Sequence, residues 1–461
     1  MRKSTGRYRV KCMSQKIFTP QTVATRSIPK HRAWLFRPIK QTVLDVGRAF
    51  DRSGDVLEVT GLPARIFVFR HPDHAGMILK HPEVGNQKYV RILPRVKWVM
   101  GRGGYILPGG SEWRERRRLV QGAFRGPCLR GYVDRVPALV SEMLAQWNAD
   151  IASGHAFDIC RGLQHLITRA NFEMFFSHRL EEPELTQIIE DTHFVQLNFV
   201  RVSPLSIPMP GNLRFRRSVA RLRTKMASLV SARRAEPDRH QDLLSVLLQA
   251  ERENGWTEPE IVGEIFSVYF GAAVVATTLA WTLFLLASHP ETQQQVIDEV
   301  ARELTGRSPT AGDLSNLSYT RAVMLETTRL YPPSWGYPRH CERGMTIDGY
   351  DVPPDSMVIP MVYFTHRHPD FWNAPETFRP ERFVGDGAKQ IHPFAHLPFG
   401  AGARFCLGAQ LAPMMLTMTL ASIFQKLRLD FQPRFNGDPI ADFGFEIHPQ
   451  NEIRVTASQL V

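Results

Sequence analysis

Pro398-Phe-Gly-Ala-Gly-Ala-Arg-Phe-Cys-Leu-Gly-Ala-Gln-Leu-Ala412 runs straight into an apolar helical pattern from about Ala409 to Lys426. Its skeleton is Phe399-x-x-Gly402-x-Arg404-x-Cys406-x-Gly408. A thiolate just ahead of a helix is stabilised by the free backbone N–H groups and the dipole there, which lowers its pKa and suits it to hold a metal. Gly402 and Gly408 let the backbone turn tightly and approach a flat partner. Arg404, two residues away, suits an acidic group on whatever the thiolate holds. The plain alternative is an inert buried cysteine before a helix. Five fixed residue types at this spacing arise by chance in on the order of one chain in ten thousand, which makes that alternative weak.

The other cysteines, Cys12, Cys128, Cys160 and Cys341, are scattered and form no Cys-x-x-Cys pair. The set fits neither a disulfide framework nor a structural zinc site, and it points to a reducing compartment such as the cytoplasm. With 461 residues, 43% hydrophobic and 22% charged, the chain has the composition of an ordinary globular protein with a large core. Its net charge of +12 is concentrated at one end, because residues 1–44 hold eleven Lys/Arg and no acid before Asp45. The rest is nearly neutral, so the charge is no argument for nucleic-acid binding. Residues 1–44 read as a disordered basic tail; a transit-like leader, or a start set upstream of Met13, are the alternatives.

No internal repeat or low-complexity linker interrupts residues 45–461, which read as one large domain. The fold class expected is mainly α with a small β part. Helical periodicity recurs near 112–124, 134–150, 159–177, 183–198, 213–234, 240–252, 258–288, 290–305 and 319–330. Asp55–Val68 alternates apolar and polar residues about a Gly-Leu-Pro turn, as a β-hairpin does. Ile265–Pro290 has no Asp, Glu, Lys or Arg and is long enough to span a bilayer. Its scattered Ser and Thr, with amphipathic segments on either side, make it a buried central helix instead, so no transmembrane anchor is expected.

The loop about Cys406 resembles that around the haem-ligating cysteine of the cytochromes P450. Glu326-Thr-Thr-Arg329 is similar to the family's Glu-x-x-Arg helix, and Pro380-Glu-Arg-Phe383 to the segment whose arginine, here Arg382, completes an ion-pair triad. Trp113-Arg-Glu-Arg-Arg117 looks like the family's Trp-x-x-x-Arg helix, whose tryptophan and arginine touch a haem propionate. Arg339 stands where another propionate-binding arginine is common. The resemblance covers roughly residues 45–460. It implies haem b (iron protoporphyrin IX) with Cys406 as axial ligand, held by Phe399, Arg404, Gly408, Trp113, Arg117 and Arg339. It implies a monooxygenase that uses dioxygen and two electrons on a hydrophobic molecule of terpenoid, fatty-acid, steroid or polyketide type, the thiolate favouring O–O cleavage. No flavin or nicotinamide module is present, so a separate ferredoxin and ferredoxin reductase are the expected donors, to a monomer. Residues 95–135 hold ten Lys/Arg against three acids, a face that suits an acidic donor.

One departure stands out. Many members carry an acid and a threonine in mid-helix that deliver protons. Here the matching positions, anchored on Leu279-Ala-Trp281, are Ala273 and Val274. A shifted alignment would put Thr277 at the alcohol but leaves Ala276 at the acid. Ordered water, or a hydroxyl or acid on the substrate, would then have to serve. By resemblance, the pocket is walled by residues 86–110, Leu197–Pro210, Ala273, Val274, Ser334–Tyr337 and the turn near Phe443, with Trp335 and Phe199 adding bulk. A peroxide-dependent or isomerase-type haem-thiolate enzyme, and a non-catalytic haem-binding protein, are the alternatives.

Overall fold

The structure, a computed structural model, describes residues 26–32, 39–61, 64–86, 94–101, 103–124, 127–199, 205, 207–236, 240–433 and 437–460. Its helices are α1 (Ile39–Ser53), α2 (Pro72–Lys80), α3 (Pro94–Met100), α4 (Gly110–Gly122), α5 (Pro127–Val133), α6 (Val136–Ser153), α7 (Ile159–Phe176) and α8 (Glu182–Asn198). They continue as α9 (Pro210–Ala235), α10 (Leu243–Asn254), α11 (Glu258–Ser288), α12 (Pro290–Leu304), α13 (Ser318–Leu330), α14 (Val362–Thr365), α15 (Gly385–Gln390) and α16 (Leu411–Phe424). Each helix expected from periodicity is present, with ends that move by a few residues, as fraying termini do.

Helix α11 is the axis of the domain. A capping box starts it, in which Thr257 and Glu260 bond each other's backbone, and Pro259 lies in its first turn. Residues from Ile261 to Phe270 and from Leu279 to Ala287 are buried without exception, packed against α7, α9, α13 and α16. It is the one described helix long and apolar enough to cross a membrane, and most of it is enclosed by the fold. An all-round apolar helix needs apolar neighbours on every side, and here other helices supply them.

The strands are β1 (Lys30–Arg32), β2 (Val56–Thr60), β3 (Ile66–Phe69), β4 (Phe157–Asp158), β5 (Arg339–Cys341), β6 (Met345–Ile347), β7 (Tyr350–Val352), β8 (Ser356–Pro360), β9 (Leu427–Phe431), β10 (Ala441–Phe443), β11 (Ile447–Pro449) and β12 (Arg454–Gln459). The main sheet runs β1-β2-β3-β8-β5. Its β2–β3 hairpin pairs Leu57 with Val68 across the Gly-Leu-Pro turn region, and β3 then pairs in parallel with β8. A second sheet, β4-β12-β9, closes over α6, and β10–β11 form a hairpin beside α11.

The boundary expected at residue 45 moves upstream. Strand β1 pairs in parallel with β2, the Arg26 N–H donates to the Gly349 carbonyl at 2.9 Å, and α1 starts at Ile39. Charge counting misses this because an edge strand contributes its backbone; exposed Lys30 and Arg32 discourage further strand addition. Residues 1–25, the rest of the basic tail, lie outside the described residues.

Candidate active site

Cys406 follows a tight loop and caps a short 3₁₀ turn, Leu407–Ala409, that leads into α16. The loop closes on itself through the Cys406 N–H to the Phe399 carbonyl at 3.0 Å and the Phe405 N–H to the Gly402 carbonyl at 3.1 Å. Gly400 and Gly402 both have φ +70°, the left-handed region. A Cβ on Gly402 would lie 2.0 Å from the Leu79 carbonyl oxygen, so the loop can dock on the end of α2 only without a side chain. Tyr337 props the loop from below, its hydroxyl donating to the Leu397 and Pro398 carbonyls at 2.9 and 3.0 Å. Cys406 itself is exposed. Burial, and next the charge of Cys406, push the Tyr105 and Tyr337 phenols up, which places both near the sulfur.

A cationic cluster surrounds this loop. Arg404 is buried, donates to the Tyr105 carbonyl at 3.1 Å and to the Pro108 carbonyl, and lies 4.4 Å over the Trp113 ring. Arg117 donates to the Phe405 carbonyl at 2.6 Å. Arg339 is held by the Gly85 carbonyl at 3.2 Å and the Pro338 carbonyl at 3.1 Å. Burial, then the like charges of Arg339 and Arg117, pull Arg404 down to about 9; burial alone takes Arg339 down to about 10. Trp113 is 5% exposed, and its buried Nε1–H has no acceptor among the described residues. Buried like charges and an orphaned donor in one place mark a site built for an anion.

Of the arginines on α4, Arg114 and Arg118 are solvated, but Arg116 is buried. It bonds Glu260 at 2.6 Å and Glu264 at 3.3 Å, tying α4 to α11. Glu264 also accepts from the Tyr105 N–H at 2.8 Å; burial nevertheless pushes it up to about 6. Sequence spacing had no way to pair residues 148 positions apart.

Glu326, Arg329 and Arg382 meet as one buried group. Arg329 forks onto Glu326 at 2.7 and 2.8 Å, and Arg382 reaches it at 3.3 Å. The Arg379 N–H donates to Glu326 as well, at 2.9 Å. The Arg329 carbonyl accepts from His366 Nδ1 at 3.2 Å, while Nε2 of that ring accepts from the Leu397 N–H at 2.7 Å. The triad is thereby linked to the residue just ahead of the Cys406 loop.

In α11, Gly271 is exposed and Ala272, Ala273, Val274 and Thr277 are half-buried, in the middle of an otherwise enclosed helix. Thr277 lies one turn beyond Ala273 and Val274. Its hydroxyl donates to Glu446 at 2.9 Å, a contact between distant segments that no motif announced. Phe199 and Phe443 are buried in the core, and the Trp335 indole donates to the Gly444 carbonyl at 3.0 Å. Residues 87–93, 102, 200–204 and 206 of the expected pocket walls lie outside the described residues.

A mostly helical domain with a cysteine loop against a cationic cluster, tied by a buried Glu-Arg-Arg triad, defines a haem-thiolate class of protein. The cytochrome P450 family matches residues 33–453, and the chain belongs to it. It is 31% identical to the cyclooctat-9-en-7-ol 5-monooxygenase of Streptomyces melanosporofaciens over 89% of this chain and 93% of that one. It is 28% identical to the pentalenene oxygenase of Streptomyces avermitilis over 88% and 90%. Among solved structures, retinoic acid-bound cyanobacterial CYP120A1 superposes with a TM-score of 0.82 at 21% identity, over 95% of this chain and all of that one. The protein is a cytochrome P450 monooxygenase whose cofactor is haem b.

Proposed function

We propose that the protein oxidises a hydrophobic terpenoid, using dioxygen and electrons from a separate ferredoxin and its reductase. Cys406 would hold the haem iron, while Arg117, Arg339, Arg404 and the Trp113 Nε1–H would take its carboxylates. The observation that carries this is the convergence on one loop of like-charged buried guanidiniums, an orphaned indole donor and a cysteine. Two carboxylates would offset that charge, and the close-docked Gly402 turn leaves the sulfur exposed to a flat ring. When bound there, haem supplies the activation of dioxygen and its insertion into a C–H bond. The chain's own part is to orient, to exclude water and to place protons.

At Ala273 and Val274 the chain has no group that holds a proton, so that task would fall to ordered water or to the substrate. A terpenoid substrate is supported by the names of the two Streptomyces relatives and by the apolar rings about α11, including Phe199 and Phe270 at 5.2 Å. Exposed Arg114 and Arg118 on α4 give an acidic donor protein a surface to meet.

The test is reduction under carbon monoxide, then turnover with a ferredoxin chain or with hydrogen peroxide. The red-shifted band of thiolate ligation is expected, and Cys406→Ser should abolish it. Product should form with ferredoxin and not with peroxide; the reverse pattern would favour a peroxide-dependent enzyme. Tight coupling of electrons to product on a hydrocarbon without any hydroxyl would exclude proton supply by the substrate.

A further inference from the structure

Glu446 is a buried carboxyl with one of its two oxygens engaged by a side chain. It is 7% exposed and sits in the turn of the β10–β11 hairpin, where Oε1 accepts from Thr277. Its Oε2 is buried and has no partner among the described residues. Its chain neighbour Phe445 packs on Phe199 at 5.0 Å, and Phe199 on Phe270. Thr277 follows Val274 by three residues and Ala273 by four, so it shares their face of α11, the face left half-open in mid-helix.

A purely structural role accounts poorly for this carboxyl. The hairpin is already fastened to α11 by the Trp281 indole, which donates to the Ile447 carbonyl at 3.0 Å, and at Gly444 by Trp335. A buried oxygen without a partner costs stability, and an alanine or leucine would avoid that cost. Apolar pockets use such isolated polar groups to orient a ligand.

We infer that Glu446, held by Thr277, is the anchor for an oxygen function, a hydroxyl or ketone, on an otherwise hydrocarbon polycyclic substrate. Burial, partly offset by the Thr277 hydroxyl, pushes Glu446 up to about 7, so both its forms are available near neutral pH. The neutral form donates from Oε2, and the charged form accepts there. Of the titratable groups on the same hairpin, His448 bonds the Glu446 carbonyl at 3.4 Å and turns its other nitrogen to Asp442 at 3.9 Å, while His193 of α8 packs on His448. None of them reaches Oε2.

This inference rests on the terpenoid reading and narrows it. The test titrates the ferric holoenzyme with a matched pair, the tricyclic alcohol cedrol and its parent hydrocarbon cedrane, reading the spin-state shift of the haem. Wild type should bind the alcohol about tenfold more tightly than the hydrocarbon, as one hydrogen bond to a buried carboxyl gives. Glu446→Leu should erase that preference and leave hydrocarbon binding unchanged; Glu446→Gln, which still bonds Thr277 and offers N–H, should retain part of it. Equal binding of both ligands by wild type, or a preference that survives Glu446→Leu, overturns the anchor and leaves the terpenoid reading standing. Failure of both ligands to bind overturns the terpenoid reading and the anchor with it.

Discussion

At Gly402 the docking of the cysteine loop rests on a single missing methyl group. Sequence spacing assigns Gly402 and Gly408 one task, and the geometry separates them. Gly402 has φ +70° and a virtual Cβ 2.0 Å from the Leu79 carbonyl oxygen; Gly408 has no positive φ, and its nearest atom, Cys406 Sγ, is 3.9 Å away. Gly402→Ala should lower the stability of the protein by about 1–3 kcal/mol from backbone strain alone. It should also move the loop off α2. Gly408→Ala should leave the unfolding midpoint of the apoprotein within error. Thermal melts of the two apoproteins check this, and equal melting of both variants would remove the reason given for Gly402. The motif is legible because it is local. Glu446 is not, because the partner that gives it meaning lies 169 residues away and nothing about Phe-Gly-Phe-Glu-Ile marks a site.

Helix α13 shows how one element carries a constraint into the site. Glu326 and Arg329 are three residues apart on one face, fully buried, and Arg382 comes to them from the 3₁₀ turn Pro380–Phe383. Arg329 also donates to the His366, Pro375 and Thr377 carbonyls at 3.0, 2.6 and 3.1 Å. Replacing Glu326 by Gln strands two buried guanidiniums and should cost about 3–5 kcal/mol, read as the shift in urea midpoint times the slope. Arg382→Lys should cost less, since a point charge still neutralises the carboxylate. If Glu326→Gln unfolds at the wild-type midpoint, the triad does not hold the fold. Elements with their own period, such as α7, α9 and α11, are visible in the sequence. Strands β1 and β8 are not, because each is defined by backbone pairing with a distant partner, β8 joining β3 across some 290 residues. Helix α1 carries a readable stripe of Val43, Val46 and Phe50, but it straddles the charge boundary at residue 45 that divides the composition.

Across the whole molecule, buried histidines are expected to cost stability in acid. His366 and His396 pack with ring centroids 5.0 Å apart beside Arg329. Burial first, then the neighbouring positive charges, hold His366 well below the ordinary imidazole range and bring His396 down to about 3. The His366 ring has to stay neutral, because its Nε2 lone pair receives the Leu397 N–H. An unfolded histidine titrates near 6.5, so between that value and the folded pKa the unfolded chain binds more protons, and stability falls as pH falls. His396 alone should remove about 2 kcal/mol between pH 6.5 and 5. Glu446 and Glu264 work in the opposite sense. Their raised pKa values give the native state more protons from about pH 4.5 upward, a contribution present in acid and lost as pH rises through about 7 and 6. The histidine component is isolated by comparing wild type with His396→Asn at several pH values in urea. The two stability curves should converge as pH falls below 6.5, by about 1.4 kcal/mol per pH unit, because only wild type carries the titrating ring. Parallel curves over pH 6.5 to 5 would mean that His396 takes up its proton without unfolding, and the acid limit would then lie with His366 and the carboxylates.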